Sequence, residues 1–127
     1  MNFLEKLIAW MENRPRVIWS ITIMYALLIF YLSSIPITQP QALKIPYITT
    51  IEHVIEYAIL GFLLLTAFRS IKRNEVWAVI ALACLYGVSD EIHQSFTPGR
   101  FCDVFDVLAD CAGVLIGVFI GRYKRVE

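Results

Sequence analysis

Four long apolar stretches constrain the fold of this chain more than any other feature of its sequence. Each approaches the length of about 20 helical residues that a bilayer core requires. Because only helices and closed barrels satisfy their backbone inside lipid, and because apolar and polar residues do not alternate strictly here, the stretches are predicted to be helices. The predicted fold class is all-α, a polytopic membrane protein with a single domain over residues 1–127. The four predicted helices span about residues 17–32, 51–68, 76–96 and 103–121.

Composition and charge exclude several other classes of protein. Hydrophobic residues make up 58% of the chain and charged residues 17%, against about 45–50% and about 25% in soluble domains. A water-exposed fold of this size cannot bury so much apolar surface, which argues against a soluble monomer and a disordered chain. The eleven basic and eleven acidic residues cancel, so nucleic acid is not expected as a partner. Three scattered cysteines fit neither a disulfide scaffold nor a zinc finger.

A short amphipathic segment precedes the first predicted span. Its apolar side chains fall on one helical face, whereas Glu5, Lys6 and Glu12 lie elsewhere. This pattern predicts a short helix that lies in the membrane interface. Asn13 and Pro15 form a cap and first-turn signal for the span that follows. The apolar residues of the interfacial helix are Phe3, Leu4, Leu7, Ile8 and Met11.

The distribution of basic residues predicts the orientation of the chain. Nine of the eleven lie before the first span, between the second and third, or after the fourth. The other two, Lys44 and Arg100, lie in the remaining loops, 33–50 and 97–102. Because basic residues concentrate on the cytoplasmic side, both termini are predicted to be cytoplasmic and these two loops to face outward from the cell membrane. The nine are Lys6, Arg14, Arg16, Arg69, Lys72, Arg73, Arg122, Lys124 and Arg125.

The predicted topology brings most acidic residues to one end of the bundle. Seven of the eleven gather at the outer ends of the last three spans. An acidic residue at the centre of a span costs about 2.5–3.5 kcal/mol, so such residues are expected to face the bundle interior and to serve a function. The sequence therefore predicts one polar pocket in the outer half of the bundle. The acidic residues are Glu52, Glu56, Asp90, Glu91, Asp103, Asp106 and Asp110, accompanied by His53, His93, Gln94, Tyr57 and Tyr86.

Helical spacing places these side chains on defined faces. Residues three and four apart share a face, and each of the last three spans presents one polar face. On the fourth span, aspartates pass into glycines along one stripe, which predicts close packing against a neighbouring helix. The faces consist of His53, Glu56 and Tyr57 on the second span, Tyr86, Asp90, His93 and Gln94 on the third, and Asp103, Asp106, Asp110, Gly113 and Gly117 on the fourth.

Structural roles are the alternative for several of these residues. Glu52, Glu91 and Asp103 also fit interfacial positions that solvate helix ends, and Asp103 fits a helix N-cap. Tyr57 and Tyr86 also fit an aromatic belt at the membrane surface. The central polar residues as a group also fit a structural knot without chemistry. That group consists of Asp90, His93, Arg100, Asp106 and Asp110.

A specific motif lies at the end of the third span. Residues 86–100 read YGVSDEIHQSFTPGR, and Asp106, Asp110 and Gly113 follow. The chain here resembles the VanZ-like family of small membrane proteins, which typically shows YG-x-x-DE-x-x-Q-x-F-x-PGR, then an Asp, an Asn or Asp, and a Gly. The resemblance covers about residues 20–121. The family is named for an accessory protein of resistance to the glycopeptide teicoplanin, so the resemblance implies a role at the cell envelope.

Two other parts of the chain match the same family. Ser33-Ser34-Ile35-Pro36 ends the first span as in family members, and His53, Tyr57 and Gly61 match a series on the second. The family often has an Asp-Lys pair four and three positions before the histidine, where this chain has Thr49 and Thr50. A role that requires a basic residue at this place is therefore not expected of this chain.

Three classes of function fit the predicted pocket. The first is an enzyme, a hydrolase or transferase that acts on a lipid-linked or cell-envelope substrate. Clustered like charges cannot all stay ionised in a low dielectric, so one carboxyl group can act as acid and another as base. The second is a non-catalytic accessory protein that binds envelope lipids or precursors. The third, a small transporter, ranks last because four spans without an internal repeat need oligomerisation to form a pore, and the oligomeric state stays open.

The candidate site residues have distinct predicted roles. Membrane lipid or a lipid-linked envelope precursor is the expected partner. The candidate catalytic residues are His53, Glu56, Asp90, Glu91, His93, Asp106 and Asp110. The candidate substrate-binding residues are Gln94, Arg100, Tyr57 and Tyr86. Histidines and carboxylates at helical offset three resemble metal sites in helix bundles, so a divalent metal is a candidate cofactor with candidate ligands His53, Glu56, Asp90, His93 and Asp106.

Arg100 is expected to balance part of the acidic charge. It lies just after the Pro98-Gly99 turn, which can fold it back over the pocket. The sequence therefore predicts an ion pair with Asp106 or Asp90. Its planar guanidinium also suits a phosphate or carboxylate of a substrate.

Overall fold

The computed structural model describes residues 1–38, 48–68 and 75–126, and within these ranges all regular secondary structure is helical. The predicted all-α fold class is confirmed. A short helix precedes four long ones. They are α1 (Phe3–Glu12), α2 (Pro15–Ser33), α3 (Ile48–Ala67), α4 (Val76–Gln94) and α5 (Val104–Val126).

Local sequence signals account for the helix ends. Asn2 and Glu5 form a capping box at the start of α1, in which each side chain accepts the other residue's backbone N–H, at 3.0 and 2.8 Å. Pro15 occupies the first turn of α2, where its missing N–H costs no helical hydrogen bond. Helix α4 ends at Gln94 rather than near residue 96. The turn that follows contains Gly99 with a φ of 79°, a conformation that favours glycine.

Helices α2 to α5 are each long and apolar enough to cross a membrane. Their surfaces carry large apolar side chains that would be unfavourable in water, such as Met24, Leu85 and Phe119, which are 67%, 66% and 70% exposed. Lipid solvates such surfaces, and the helices satisfy their own backbone groups. The chain is therefore a multi-pass membrane protein, whereas the cytoplasmic location of its termini stays a prediction.

Helices α3 and α5 make the most extensive contact in the bundle. Two glycines of α5 permit it, because a Cβ atom on Gly113 would clash with the backbone carbonyl oxygen of Val54, and one on Gly117 with that of Ala58. Small residues at such positions let helix backbones approach closely within a membrane. Of the stripe predicted for the fourth span, Asp110, Gly113 and Gly117 thus pack against α3, whereas Asp103 is exposed just before α5 begins.

Apolar packing holds the rest of the bundle together. The main core joins α2 to α5 through residues such as Ile29, Leu60, Val79 and Val114, all at most 1% exposed. A second cluster lies where α2 begins and α3 ends, and there α1 adds Met11. Helix α1 therefore packs at the end of the bundle opposite the polar residues.

Candidate functional site

The polar residues of α3, α4 and α5 meet where α3 begins and α4 ends, a region we call the polar end. Asp90, Glu91 and Gln94 are at most 6% exposed, and Asp110 is fully buried. The glycine contacts between α3 and α5 continue toward this region, so α5 brings Asp110 directly against its neighbours. A Cβ atom on Gly87 of α4 would lie only 3.0 Å from Asp110 Oδ2.

His53 is the centre of the polar end. Its Nδ1 lies 2.7 Å from Asp110 Oδ1, a hydrogen bond that joins α3 to α5. The same ring lies 3.9 Å from Glu91 Oε1, measured from Nδ1, and 3.9 Å from Asp106 Oδ2, measured from Nε2. In the neutral imidazole, a proton on Nδ1 would satisfy the bond to Asp110 and leave Nε2 with a lone pair. Three carboxyl groups from α4 and α5 therefore surround one imidazole.

Asp90 is held by two donors. The Tyr57 hydroxyl donates to Asp90 Oδ2 at 3.3 Å, and Gln94 Nε2 donates to the same oxygen at 3.2 Å. Tyr57 is fully buried, so a role in an aromatic belt at the membrane surface does not fit it. The phenol instead orients a carboxyl group across the α3–α4 contact.

Three buried carboxylate oxygens in the described part of the chain accept no hydrogen bond. They are Asp90 Oδ1, Glu91 Oε1 and Asp110 Oδ2. The second oxygen of Glu91 accepts the backbone N–H of Asp103 at 3.1 Å. An ionised carboxylate without a partner is strongly disfavoured in a buried position. Each of these oxygens is therefore expected to carry a proton, or to be stabilised by a cation or by a hydrogen-bond donor of a ligand.

Two cavities border the polar end. The larger, of about 410 Å³, lies between α2 and α3 and reaches Glu56, Asp90 and Arg100. We call it the α2–α3 cavity. The smaller, of about 280 Å³, lies beside the loop that follows α4 and is lined by residues that include His53 and Asp106. We call it the loop cavity.

Arg100 reaches the end of α2 rather than a carboxylate. Its Nε donates to the Ile35 carbonyl oxygen and its Nη2 to the Leu32 carbonyl oxygen, both at 2.9 Å. A cation is favourable at these positions, because the last carbonyls of a helix have no partner within it. The sequence predicted an ion pair with Asp106 or Asp90, and the structure instead uses the guanidinium to fasten the loop after α4 to α2.

His93 and Tyr86 face α2. His93 Nε2 lies 2.8 Å from Ser34 Oγ, and the ring stacks on Phe30 with centroids 4.1 Å apart. The Tyr86 hydroxyl donates to the backbone carbonyl oxygen of Ala26. Both residues therefore connect α4 to α2 and lie apart from the carboxyl groups around His53.

The side chains that were predicted to share one face of α4 contact different neighbouring helices. His93 lies about 60° around the helix from Asp90, and this angle is enough to direct the two side chains to different helices. Glu91, in contrast, turns toward α5 and His53, which helical spacing from Asp90 did not indicate.

One group of residues has the arrangement of a metal site. His53, Glu91 and Asp106 each offer a ligand atom, and the three atoms lie within 4.8 Å of one another. The ligands predicted from the sequence included His53 and Asp106, but Glu91 was predicted only as a catalytic residue. Of the other predicted ligands, Glu56 and Asp90 line the α2–α3 cavity and His93 contacts α2.

Part of the predicted topology concerns residues outside those that the structure describes. These are the loop segments 39–47 and 69–74, which contain four of the basic residues used to predict the orientation. The four are Lys44, Arg69, Lys72 and Arg73.

Comparison with known proteins identifies a family. The model of the VanZ/LLP1 family matches residues 8–125, a range that contains α2 to α4, all of α5 except its last residue, and all residues of the polar end. No curated protein matches the chain, and no solved structure matches it.

Proposed function

Because this chain belongs to the VanZ/LLP1 family, we propose that it serves the cell envelope in glycopeptide resistance as a hydrolase or transferase that acts on a lipid-linked envelope molecule bound in the α2–α3 cavity. One observation carries the proposal. The wall of this cavity changes along its length from apolar side chains of α2 and α3 to the acidic and basic groups of the polar end. A molecule with a hydrocarbon tail and a charged head matches such a wall.

The apolar part of the cavity continues onto the lipid-facing surface. Ile29 of α2 is buried in its wall, whereas Ile55 and Ile59 of α3 line the cavity and are also 57% and 43% exposed. A hydrocarbon chain can therefore lie between α2 and α3 without leaving the bilayer. Burial of its methylene groups supplies about 0.8 kcal/mol each relative to water, but little relative to lipid, so the head group must supply the selectivity.

The polar part of the cavity supplies groups for a charged head. Arg100 is the one arginine or lysine among the described residues that line either cavity at the polar end, and guanidinium groups bind phosphates and carboxylates well. Glu56 and Asp90 line the same cavity. In the proposed chemistry, one of these carboxyl groups gives a proton to the leaving oxygen of the head group and the other takes a proton from the attacking water or hydroxyl.

A non-catalytic binding function is the second candidate, and the surroundings of Asp90 favour it. Tyr57 and Gln94 both donate to Asp90 Oδ2. Two donors on one oxygen fix the orientation of this carboxyl group, which suits recognition of a polar head group. In this case the protein would retain its envelope molecule and protect it from the glycopeptide.

Bound lipid tests the proposed cavity. We expect Ile59→Trp, which fills the cavity, to lose the lipid-linked molecule that co-purifies with the wild type in mild detergent and is identified by mass spectrometry. Leu108→Trp is the matched control, because Leu108 is 58% exposed on α5 and does not line either cavity at the polar end. Equal lipid retention by both variants would contradict the proposal.

Teicoplanin susceptibility of expressing cells separates the two candidates. If the protein is an enzyme, Glu56→Gln and Asp90→Asn should abolish resistance while the co-purifying molecule is retained and its unreacted form accumulates. If it only binds, resistance should decrease in proportion to lipid retention, and no unreacted form should accumulate. Full resistance in both variants would exclude acid–base chemistry by these carboxyl groups.

A further inference from the structure

We propose that His53, Glu91 and Asp106 bind one divalent transition-metal ion at the polar end. The inference goes beyond the proposed function, because it rests on the geometry of these three residues and holds whether or not a lipid occupies the α2–α3 cavity.

The spacing of the ligand atoms fits one ion. The three candidate ligand atoms lie within 4.8 Å of one another, and Nε2 of His53 lies 3.9 Å from Asp106 Oδ2. An ion at about 2.1 Å from each of two atoms holds them at most about 4.2 Å apart. Small side-chain rotations therefore bring the group to bonding distance.

Glu91 supplies an independent indication of a cation. Its side chain is fully buried, and Oε1 accepts no hydrogen bond although it lies 3.9 Å from His53 Nδ1. The backbone N–H of Asp103 holds the other oxygen at 3.1 Å, so the carboxyl group is fixed with Oε1 directed at the imidazole. A buried carboxyl oxygen oriented in this way and without a donor is stabilised by a proton or by a cation, and a metal ion bound to the imidazole supplies the cation.

Asp110 prepares His53 as a ligand. Imidazole ligands of metal ions almost always donate their second N–H to a carboxylate or carbonyl, which fixes the tautomer and the ring orientation. The contact of 2.7 Å between His53 Nδ1 and Asp110 Oδ1 has this form. It directs Nε2 toward Asp106 as the ligand nitrogen.

The ligand set and its surroundings indicate the kind of ion. One imidazole with two carboxylates favours manganese, iron or zinc over magnesium. His53 and Asp106 also line the loop cavity of about 280 Å³, so water or the polar head of a bound molecule can reach the remaining coordination positions. This arrangement is typical of an open site rather than a closed structural one.

Manganese binding by the full chain in lipid nanodiscs tests the proposal. After treatment with a chelator, titration with Mn²⁺ alone, followed by electron paramagnetic resonance, should show one saturable site per chain. Electron spin-echo modulation should show one imidazole nitrogen bound to the ion. Absence of a saturable site, or of the nitrogen signal in wild-type protein, overturns the proposal without any variant.

Four variants test the assignment of residues. Glu91→Gln and Asp106→Asn should each lose the tight site, and Asp110→Asn should weaken it about 10- to 100-fold as the partner of a ligand histidine. Asp103→Asn is the matched control, because it removes a nearby charge but keeps both the backbone N–H to Glu91 and the side-chain oxygen that accepts the Phe105 N–H at 2.8 Å. Equal weakening by Asp103→Asn and Asp106→Asn would show only diffuse attraction by acidic groups and would overturn the proposal.

Measuring lipid retention beside Mn²⁺ binding distinguishes a failure of the metal site from a failure of the proposed function. A chain that binds Mn²⁺ through His53 but retains no lipid-linked molecule contradicts the proposed function alone. A chain that retains the lipid but shows no saturable Mn²⁺ site contradicts the metal site alone.

Discussion

His53 and Asp110 join α3 to α5 through a contact of 2.7 Å between Nδ1 and Oδ1. Asp110 is fully buried, and Gly113, one helical turn further along α5, touches the backbone of α3. The polar contact and the close helix contact therefore lie side by side, and each fixes the position of the other.

Removal of this contact should destabilise the bundle. We expect Asp110→Ala to lower the free energy of unfolding by about 1–3 kcal/mol, because it leaves a donor of His53 without its partner. Unfolding in mixed micelles of dodecyl sulfate measures the change. Asp103→Asn serves as the control, since Asp103 is exposed and asparagine keeps the side-chain oxygen that accepts the Phe105 N–H, and an equal effect of the two substitutions would contradict a specific role for the hydrogen bond.

Added volume at the α3–α5 contact should be costly. Gly117→Ala directs a methyl group at the carbonyl oxygen of Ala58, and overpacking of this kind typically costs about 1–3 kcal/mol. Ala112→Leu on the exposed face of α5 is the control and adds more volume. The same unfolding measurement should show a lower stability for Gly117→Ala than for Ala112→Leu, and the reverse order would disprove close packing here.

The sequence was sufficient to predict the fold because its strongest signals are long, continuous apolar stretches. An apolar run of about 20 residues crosses a lipid bilayer as a helix. On the fourth span, aspartates followed by glycines at helical spacing predicted the face of α5 that is buried. Arg100 was harder to predict, because nothing in the sequence shows that the last carbonyls of α2 lie within its reach. That information depends on how the loop after α4 crosses α2.

The division of roles along α4 also depends on tertiary contacts. Helical spacing alone placed His93 on the same face as Asp90. In the structure, α2 contacts one side of α4 and α5 contacts another, so His93 bonds to Ser34 and stacks on Phe30. Glu91 joined the residues around His53 for the same reason. Helical periodicity locates a side chain on the helix surface, whereas the arrangement of neighbouring helices decides what it meets.

Substitution of Arg100 should separate its charge from its geometry. Arg100→Lys keeps the charge but cannot repeat the paired hydrogen bonds to Leu32 and Ile35. We expect it to reduce teicoplanin resistance and, because an ammonium group can still donate to one of these carbonyl oxygens, to lower the melting temperature less than Arg100→Ala does. Arg100→Ala should reduce both, with a loss of about 1 kcal/mol in stability. Wild-type resistance in Arg100→Lys would mean that the function does not depend on the planar guanidinium.

Cysteine labelling in intact cells tests the predicted orientation. Cys102 is exposed in the loop after α4, so with Cys84 and Cys111 replaced by alanine it should react with a membrane-impermeant maleimide from outside. Arg73→Cys in a chain without the other cysteines should react only after permeabilisation, and Ala42→Cys should behave like Cys102. Labelling of Arg73→Cys from outside would reverse the orientation and move the polar end to the cytoplasmic leaflet.

The glycine contact between α3 and α5 has a consequence for motion. Helices whose backbones touch at Gly113 and Gly117 cannot slide or separate without losing that contact, so α3 and α5 should move as one body that carries His53 and Asp110 together. At the polar end, α2 is held to its neighbours mainly by side-chain contacts rather than by close backbone packing, through hydrogen bonds of Tyr25, Tyr86, His93, Thr97 and Arg100. A ligand should therefore enter the α2–α3 cavity when α2 moves outward, while the α3 wall of the cavity keeps its position.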